Sequence, residues 1–222
     1  MITTSKNRLL LIVLAIFSIG LCSSQDENHQ QNNENLYRKL SFFDLRGTSA
    51  VDLAVGTALI NNDYPEPEFE FYFRIGFKQY LTDHLNIGIS YNKYNLAFNE
   101  TFNEGYMSFD LNLEYMITPY NEFSPFVFGG YGYNASNNFE STQAKAQVGV
   151  GIEYTLVEGV GVKLFGDYNY VLSNEMEGLI VPNNDESFIR VAVGVNIYFG
   201  GNKKRERLLE RVETIINSNL IK

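Results

Sequence analysis

The sequence predicts an all-β protein, an eight-stranded antiparallel transmembrane β-barrel, and two observations predict this class. In eight stretches the side chains alternate, residue by residue, between a large apolar face and a face of glycines and charges. A period of two is the signature of a β-strand. The stretches also exceed the usual strand length of about 5–6 residues and reach the roughly 9–11 residues that a tilted strand needs to cross a bilayer.

The alternation is clearest in the second predicted strand. There Phe71 and Phe73 point to one side, and Arg74 and Lys78 point to the other. The third predicted strand loses its alternation after Tyr91, which a β-bulge would explain. The eight predicted strands cover residues 47–60, 68–81, 85–98, 105–117, 124–134, 143–156, 160–172 and 186–200.

The connections between the strands alternate in length. Two are short, at 82–84 and 157–159, and a third carries the turn-forming residues Pro119 and Asn121. The other four are mostly longer and rich in Asn and acidic residues, at 61–67, 99–104, 135–142 and 173–185. Outer-membrane barrels have short turns on the periplasmic side. With an even number of strands, both termini are therefore predicted to be periplasmic.

The N-terminus has the pattern of a secretory signal peptide over residues 1–24. Lys6 and Arg8 precede an apolar stretch from Leu9 to Leu21 that is too short to span a bilayer as a helix. Cleavage is predicted after Ser24. The alternative is a lipoprotein with its lipid on Cys22, and in both cases the chain leaves the cytoplasm.

The composition excludes several classes of function. The 222 residues include 17 Lys and Arg against 26 Asp and Glu, for a net charge of −9. Such an acidic chain is a poor candidate for binding nucleic acid, which rewards clustered Lys and Arg. The single cysteine lies in the predicted signal peptide, so the mature protein is predicted to have neither disulfides nor cysteine metal sites.

Two further segments flank the barrel, which is predicted to occupy residues 45–200. Residues 25–44 are polar and of low complexity, and they are predicted to form a periplasmic linker. Residues 201–222 are predicted to form a short periplasmic amphipathic helix, because apolar side chains recur there at helical spacing. These side chains are Leu208, Leu209, Val212, Ile215 and Ile216. The helix either caps the barrel or docks a partner.

Alternation does not say which face lies inside, since a soluble lipocalin-like barrel also alternates. Glycines and balanced charges on the polar face favour a lumen, where space is small and buried charges must be paired. The predicted lumen charges are Asp52, Glu70, Arg74, Lys78, Asp110, Glu114, Lys145, Glu153, Lys163, Asp167 and Arg190. Their functional interpretation is an ion pathway, and their structural interpretation is a packed polar core.

No nucleophile, phosphate-loop or metalloprotease motif occurs, so the chain is predicted not to be an enzyme and to need no cofactor or metal. The predicted outer loops carry acids but no Lys or Arg. These acids either bind a cationic partner or divalent ions, or form a solvated rim beside lipopolysaccharide. They include Asp63, Glu66, Glu100, Glu104, Glu175, Glu177 and Asp185.

From residue 47 to 201 the sequence resembles the small eight-stranded outer-membrane barrels of the OmpA/OmpX-like superfamily. The stretch 194–199, Gly-Val-Asn-Ile-Tyr-Phe, resembles the terminal signal that such barrels present to the outer-membrane insertion machinery. It departs from that pattern at Ala192, where a polar residue is usual, and in not ending the chain at Phe199. The resemblance implies the outer membrane of a Gram-negative bacterium, with the lipid bilayer and lipopolysaccharide as surroundings.

More narrowly, several stretches resemble a barrel associated with curli assembly and transport proteins of the CsgG type. They are 72–76, 91–95, 103–114, 134–137 and 198–201. The resemblance implies a structural or accessory role in curli-type fibre assembly, with curli-type secretion components as partners. Two alternatives stay open: a narrow channel for ions or small solutes, and adhesion or ligand binding through the acidic outer loops.

Overall fold

The structure, a computed structural model, describes residues 29–61, 67–98, 102–137, 142–172 and 187–211. Helix α1 spans His29–Leu45 and helix α2 spans Asn202–Leu209. The residues of α1 up to Asn35 belong to a separate unit, whereas Leu36–Lys222 form the unit that contains the barrel. Across the described residues, neither helix is both long and apolar enough to cross a membrane.

The described residues form eight barrel strands of 11 to 16 residues. The second is preceded by a two-residue piece, Pro67–Glu68, that pairs with the end of the third. The strands are β1 Ser49–Ile60, β2 Glu70–Tyr80, β3 Leu85–Phe98, β4 Phe102–Met116, β5 Phe123–Ser136, β6 Thr142–Val157, β7 Val160–Val171 and β8 Ser187–Phe199.

Each strand pairs antiparallel with the next, and β1 pairs with β8 to close the barrel. The closing register runs from Ser49 opposite Phe199 to Ile60 opposite Phe188. A closed sheet leaves no unpaired edge, which is the condition for placing strands in hydrocarbon. The predicted fold class, an eight-stranded antiparallel barrel with a short C-terminal helix, is confirmed.

The two faces of the sheet have the reverse of the arrangement in a water-soluble protein. Large apolar side chains point outwards, with Phe71 65% and Phe109 64% exposed, whereas Arg190 and Lys145 on the inner face are fully buried. Water would penalise such an exterior, whereas lipid accepts it. The strands are also long enough to cross a bilayer. The structure therefore has the faces of a transmembrane barrel rather than those of a soluble one.

One end of the barrel carries the connections 81–84, 117–122 and 158–159, and we call it the turn end. Both helices are attached there, because α1 leads into β1 and α2 follows β8. Gly200 and Gly201 have φ values of 77° and 98°, which L side chains rarely adopt. They turn the chain from β8 into α2. The opposite end, the loop end, carries the four connections that are only partly within the described residues.

The structure adds detail at two predicted segments. The polar segment 25–44, predicted as a linker, is helical from His29 within the described residues, and Leu40 and Phe42 near its end are buried. The bulge predicted in the third strand after Tyr91 lies instead opposite that strand. β3 stays in register with β4 to Phe98, but on the β2 side the register shifts by one residue between Tyr94, opposite Tyr72, and Ala97, opposite Glu68, where residues 69–71 face residues 95–96. The outward Lys93 of β3 is exposed near the loop end, where a strand leaves the hydrocarbon and polar side chains are tolerated. A further register shift lies in β6, between Thr155 and Val157.

Candidate functional site

The barrel lumen is the candidate site, because it collects most of the charged side chains that the sequence singled out. Ten of the eleven are at most 5% exposed and point inwards. These ten are Asp52, Arg74, Lys78, Asp110, Glu114, Lys145, Glu153, Lys163, Asp167 and Arg190. Inward charges on different strands can meet only because the sheet closes on itself.

The largest cluster surrounds Arg190 of β8. Its guanidinium donates from Nε to Asp167 Oδ1 at 2.9 Å and from Nη2 to Asp167 Oδ2 at 3.0 Å. Nη2 also reaches Asp110 Oδ2 of β4 at 3.3 Å. Lys145 Nζ donates to the same Asp110 oxygen at 2.9 Å and to Asn169 Oδ1 at 2.7 Å. The strands β8 and β4 are opposite one another in the ring of eight, so this cluster crosses the lumen.

Two smaller clusters fill the lumen nearer the turn end. Asp52 of β1 contacts Lys163 Nζ through Oδ1 at 2.5 Å and Arg74 Nε through Oδ2 at 3.3 Å. Lys78 Nζ donates to Glu114 Oε2 at 2.6 Å. Asn86 Nδ2 donates to the other oxygen of Glu114 at 2.9 Å. Each carboxylate thus has at least one cation, which offsets the large cost of removing it from water.

Aromatic rings occupy the lumen space between the ion pairs. The Lys163 ammonium lies 4.8 Å from the centre of the Phe165 ring, and the Arg190 guanidinium lies 4.9 Å from that of Tyr72, within the range of cation–π attraction. The Phe128 ring reaches across to Gly149 of β6, where a Cβ atom would overlap it. Glycine is required there because the lumen is already full.

The C-terminal part of helix α1, residues 36–45, covers the lumen at the turn end. Arg46, just after the helix, donates from Nε to Glu153 Oε1 at 3.0 Å. Its Nη1 donates to the Pro119 carbonyl at 2.7 Å and to the Asn121 carbonyl at 3.1 Å. Burial alone would lower the pKa of Arg46, but Glu153, Tyr198 and Tyr80 together outweigh burial and hold this pKa above its ordinary value. The guanidinium therefore remains charged as it fastens the helix.

One apolar contact and two further hydrogen bonds complete this cover. Phe42 of α1 is 2% exposed, and its ring packs edge-on against Tyr80 at a centroid distance of 5.3 Å. Tyr198 donates its hydroxyl to Glu153 Oε2 at 2.6 Å, below the helix. Ser41 Oγ donates to the Tyr120 carbonyl at 2.9 Å. The cover is therefore bound through apolar, polar and charged contacts together.

One predicted lumen charge lies elsewhere, and one lumen charge was missed. Glu70 is half-buried at the loop end and accepts a hydrogen bond from Asn103 Nδ2 at 3.3 Å, because it begins β2 above the packed interior. Arg46 joins the lumen from residues 45–46, which lie between the predicted linker, 25–44, and the first predicted strand, 47–60. Its signal in the sequence was a cation directly between an apolar helix end and the first strand.

Inward-facing amides were also missed, because only charges were considered. Asn92 and Asn169 are fully buried, and Gln147 Oε1 accepts from both Lys145 at 2.9 Å and Arg190 at 3.0 Å. These side chains share the inward parity of the charges, so the alternation itself could have identified them. With Glu70 removed and Arg46 added, the buried lumen set has five acids and six bases.

The predicted outer-loop acids receive little structural description. Glu104 lies within β4 rather than in a loop, because that strand begins at Phe102, and it accepts the Tyr106 hydroxyl at 3.1 Å. The other six predicted acids lie outside the described residues. They are Asp63, Glu66, Glu100, Glu175, Glu177 and Asp185.

The predicted tail helix is described only in its first part. Leu208 is half-buried and Leu209 is 46% exposed, and α2 contains no buried residue. Arg205 Nε contacts Asp44 Oδ1 of α1 at 2.6 Å. Val212, Ile215 and Ile216 lie outside the described residues, as does the predicted signal peptide, 1–24. Within the described part of the chain, no group of three or more His, Cys, Asp and Glu side chains is arranged to hold a metal ion.

The fold and the lumen define a small, closed eight-stranded transmembrane β-barrel. No family profile and no curated protein matches the chain. Among solved structures it is similar to Neisserial surface protein A (NspA), with a TM-score of 0.56 and 16% identity over 69% of this chain and 98% of that one. Ail, the attachment invasion locus protein of Yersinia pestis, matches with a TM-score of 0.47 and 14% identity over 69% and 99%. At these identities the likeness shows the fold alone, and it lends no support to the curli resemblance.

A third similar structure corrects the prediction that the chain is not an enzyme. The outer membrane enzyme PagL matches with a TM-score of 0.42 and 16% identity, over 68% of this chain and 99% of that one. Barrels of this size thus include an enzyme, so neither the fold nor the absence of soluble-enzyme motifs excludes catalysis. The prediction was wrong because the motifs searched for belong to other folds.

Proposed function

We propose that the protein is a non-conducting barrel of the outer membrane that acts as a structural or accessory component of the cell envelope. The observation that carries this proposal is the contact between Arg190 and Asp110 at 3.3 Å, which joins opposite strands across the lumen. An ion or solute passing through would have to break this pair and also pass the two clusters nearer the turn end. The cover formed by α1 at the turn end adds a second obstacle.

The proposed environment is the lipid bilayer with its lipopolysaccharide, reached through the outer-membrane insertion machinery. Support comes from the apolar exterior and from the stretch 194–199, which resembles the terminal signal of such barrels. We place the turn end, and with it both termini, in the periplasm, because short turns face the periplasm in barrels of this class. Protease protection of α1 in intact cells, followed by cleavage after the outer membrane is opened, is the expected result.

Planar-bilayer recording of the purified full chain tests the proposal. We expect no discrete conductance steps from the wild type. The matched variant carries Arg190→Ser and Asp110→Ser, which remove the pair that crosses the lumen, and we expect it to leak ions. Discrete steps from the wild type would overturn the proposal and favour the alternative that the charged lumen motivates, a narrow channel for ions or small solutes.

A finer role in curli-type fibre assembly and transport rests on the sequence resemblance alone. If it is correct, a tag in the 99–104 loop should recover curli-type secretion components from detergent-solubilised outer membrane. Deleting 202–222 should then reduce that recovery if the tail docks a partner. Recovery of the barrel by itself would remove this role.

Adhesion or ligand binding through the acidic outer loops is the remaining proposal. It rests on acids without neighbouring Lys or Arg, six of which lie outside the described residues. Replacing 173–186 by a Gly-Ser linker of equal length should abolish binding to a cationic surface. Unchanged binding would eliminate this loop as the contact.

A further inference from the structure

A basic pocket lies at the turn end, outside the lumen. It has a volume of about 280 Å³. Four cations surround it, Lys39 of α1 together with Lys204, Arg207 and Arg211. Its apolar part is formed by Phe43 and Leu208, and Asp83 from the turn between β2 and β3 lies at its edge. We refer to this set of residues as the basic pocket.

The pocket is built by the packing of the two helices and not by one surface alone. Lys204, Arg207, Leu208 and Arg211 are spaced at i, i+3, i+4 and i+7, so they share one face of α2 and of the turn that follows it. The salt bridge from Arg205 to Asp44 joins α2 to α1. These contacts bring the cations of α2 to Lys39 and Phe43 of α1.

The charge of the pocket is not balanced by the protein. Within the part of the chain that the structure describes, no ion pair is formed by Lys39, Lys204, Arg207 or Arg211. Asp83, the acid at the edge, already accepts a hydrogen bond from the Tyr120 hydroxyl at 3.3 Å. Burial and, after it, Asp83 raise the pKa of Tyr120, so this hydroxyl keeps its proton and remains a donor. Four cations therefore face one engaged carboxylate, in a chain with a net charge of −9.

The pocket adjoins the lipid-facing wall. Leu81 precedes Asp83 by two residues, continues the outward face of β2 and is 57% exposed. On α2, next to Leu208, the side chain of Leu209 is 46% exposed. Cations above exposed apolar side chains at the end of a barrel form a surface suited to an amphiphilic anion, whose charge lies at the interface and whose chains lie in hydrocarbon.

We propose that the basic pocket binds the phosphate headgroup of an anionic phospholipid in the leaflet at the turn end. Arg207 and Arg211 supply guanidinium groups, which suit phosphate oxygens, and Lys39 and Lys204 supply ammonium groups. The acyl chains of the lipid lie against the outward face of β2, beside Leu81. The inference rests on the membrane-spanning barrel and is independent of whether the lumen conducts.

Native mass spectrometry of the detergent-purified full chain tests this site. The probes are phosphatidylglycerol, phosphatidylcholine and inorganic phosphate. We expect the wild type to bind phosphatidylglycerol more tightly than phosphatidylcholine. The double variant Lys204→Gln with Arg207→Gln should weaken phosphatidylglycerol binding by roughly 30-fold, from about 1 kcal/mol for each cation. The matched control, Lys203→Gln with Lys93→Gln, removes two exposed cations outside the pocket and should leave binding unchanged.

Three results would overturn the proposal. In the first, the wild type binds the two lipids with equal affinity. In the second, the double variant binds phosphatidylglycerol as tightly as the wild type does. In the third, equimolar inorganic phosphate displaces the lipid, which would assign the pocket to free phosphate. The heat-shifted gel mobility of a folded barrel is checked for every variant. If the double variant does not fold, the comparison of the two lipids on the wild type still decides. Conductance is recorded in a separate experiment, so a negative result for lipid binding would not contradict the proposal that the barrel is non-conducting.

Discussion

At the scale of single residues, the lumen shows how a barrel buries charge. Asp167 has one cation within 4 Å in the described part of the chain, Arg190, whereas Asp110 has two, Arg190 and Lys145. A buried carboxylate that loses its only cation leaves an uncompensated charge, which is far more costly than the loss of a surface pair. The cost of a substitution should therefore depend on which partners remain.

Arg190→Met is expected to lower the free energy of unfolding by about 3–5 kcal/mol, because Asp167 is left buried without a cation. Urea unfolding in lipid vesicles, followed by tyrosine fluorescence since the chain has no Trp, measures this. Lys93→Met, at an exposed site on β3, is the control and should have little effect. The double variant Arg190→Met with Asp167→Leu should recover part of the loss. A single variant within 1 kcal/mol of the wild type would contradict the argument.

A second prediction concerns the space inside the lumen. Gly149→Ala places a Cβ atom into the Phe128 ring and is expected to cost about 1–3 kcal/mol. Gly129→Ala on β5 is the matched control, since its Cβ would meet nothing closer than the Gln147 carbonyl oxygen at 3.7 Å. That control should be neutral or slightly stabilising. Equal stability of the two variants in the same urea assay would mean that the lumen is not tightly packed.

At the scale of elements, α1 acts as a cover whose attachment is concentrated at its end. Arg46 bonds two backbone carbonyls and Glu153, while Phe42 packs against Tyr80. The Arg205–Asp44 bridge to α2 is largely exposed to solvent and contributes little. The helix should therefore respond to changes at Arg46 far more than to changes on its exposed side.

Arg46→Met is expected to release α1 and to speed cleavage within 36–45 by proteinase K about tenfold or more. Each lost hydrogen bond from a charged donor is worth roughly 1.5–3 kcal/mol, and cleavage follows the population of the open form. Mass spectrometry of the fragments over time gives the rate. Tyr37→Met, at a side chain of the same helix that is 59% exposed, should be cleaved at the wild-type rate. If the two variants were cleaved equally fast, Arg46 would not be the fastening residue.

At the scale of the whole molecule, the outward face distinguishes a membrane barrel from a soluble one. Val150, in the middle of β6, is 62% exposed, and Leu156, near the turn end of the same strand, is 57% exposed. Their exposures are nearly equal, so only the depth of hydrocarbon around them separates the two positions. In water an arginine would be tolerated at both.

Val150→Arg is expected to cost about 2–4 kcal/mol of folding free energy in lipid vesicles, because it lies near the middle of the bilayer. Leu156→Arg, close to the interface, should cost about 1 kcal/mol or less. Urea titration in vesicles of defined thickness compares them. Equal and small costs at the two sites would contradict a membrane-spanning barrel.

The strands and their two faces could be predicted from the sequence because both follow from local order. A period of two places successive side chains on opposite faces whatever the partners are, so Phe71 and Arg74 could be assigned to different faces without a structure. The short turns at 82–84 and 157–159 could be predicted for the same reason, because each follows from a few neighbouring residues. The bulge expected in β3 after Tyr91 lies instead in residues 69–71 opposite it, because a bulge is a mismatch between two paired strands and the sequence of one strand does not show the register of its partner.

By itself, the sequence determined that this chain forms long alternating strands and that its charges share one face, since both are properties of neighbouring residues. Only the tertiary structure decided which charges meet. Asp110 and Arg190 are 80 positions apart and touch because closure brings β4 and β8 face to face across the lumen. Likewise, the cover by α1 and the basic pocket depend on long-range packing of Arg46, Asp44 and Arg205, and packing between distant segments leaves no periodic trace in a sequence.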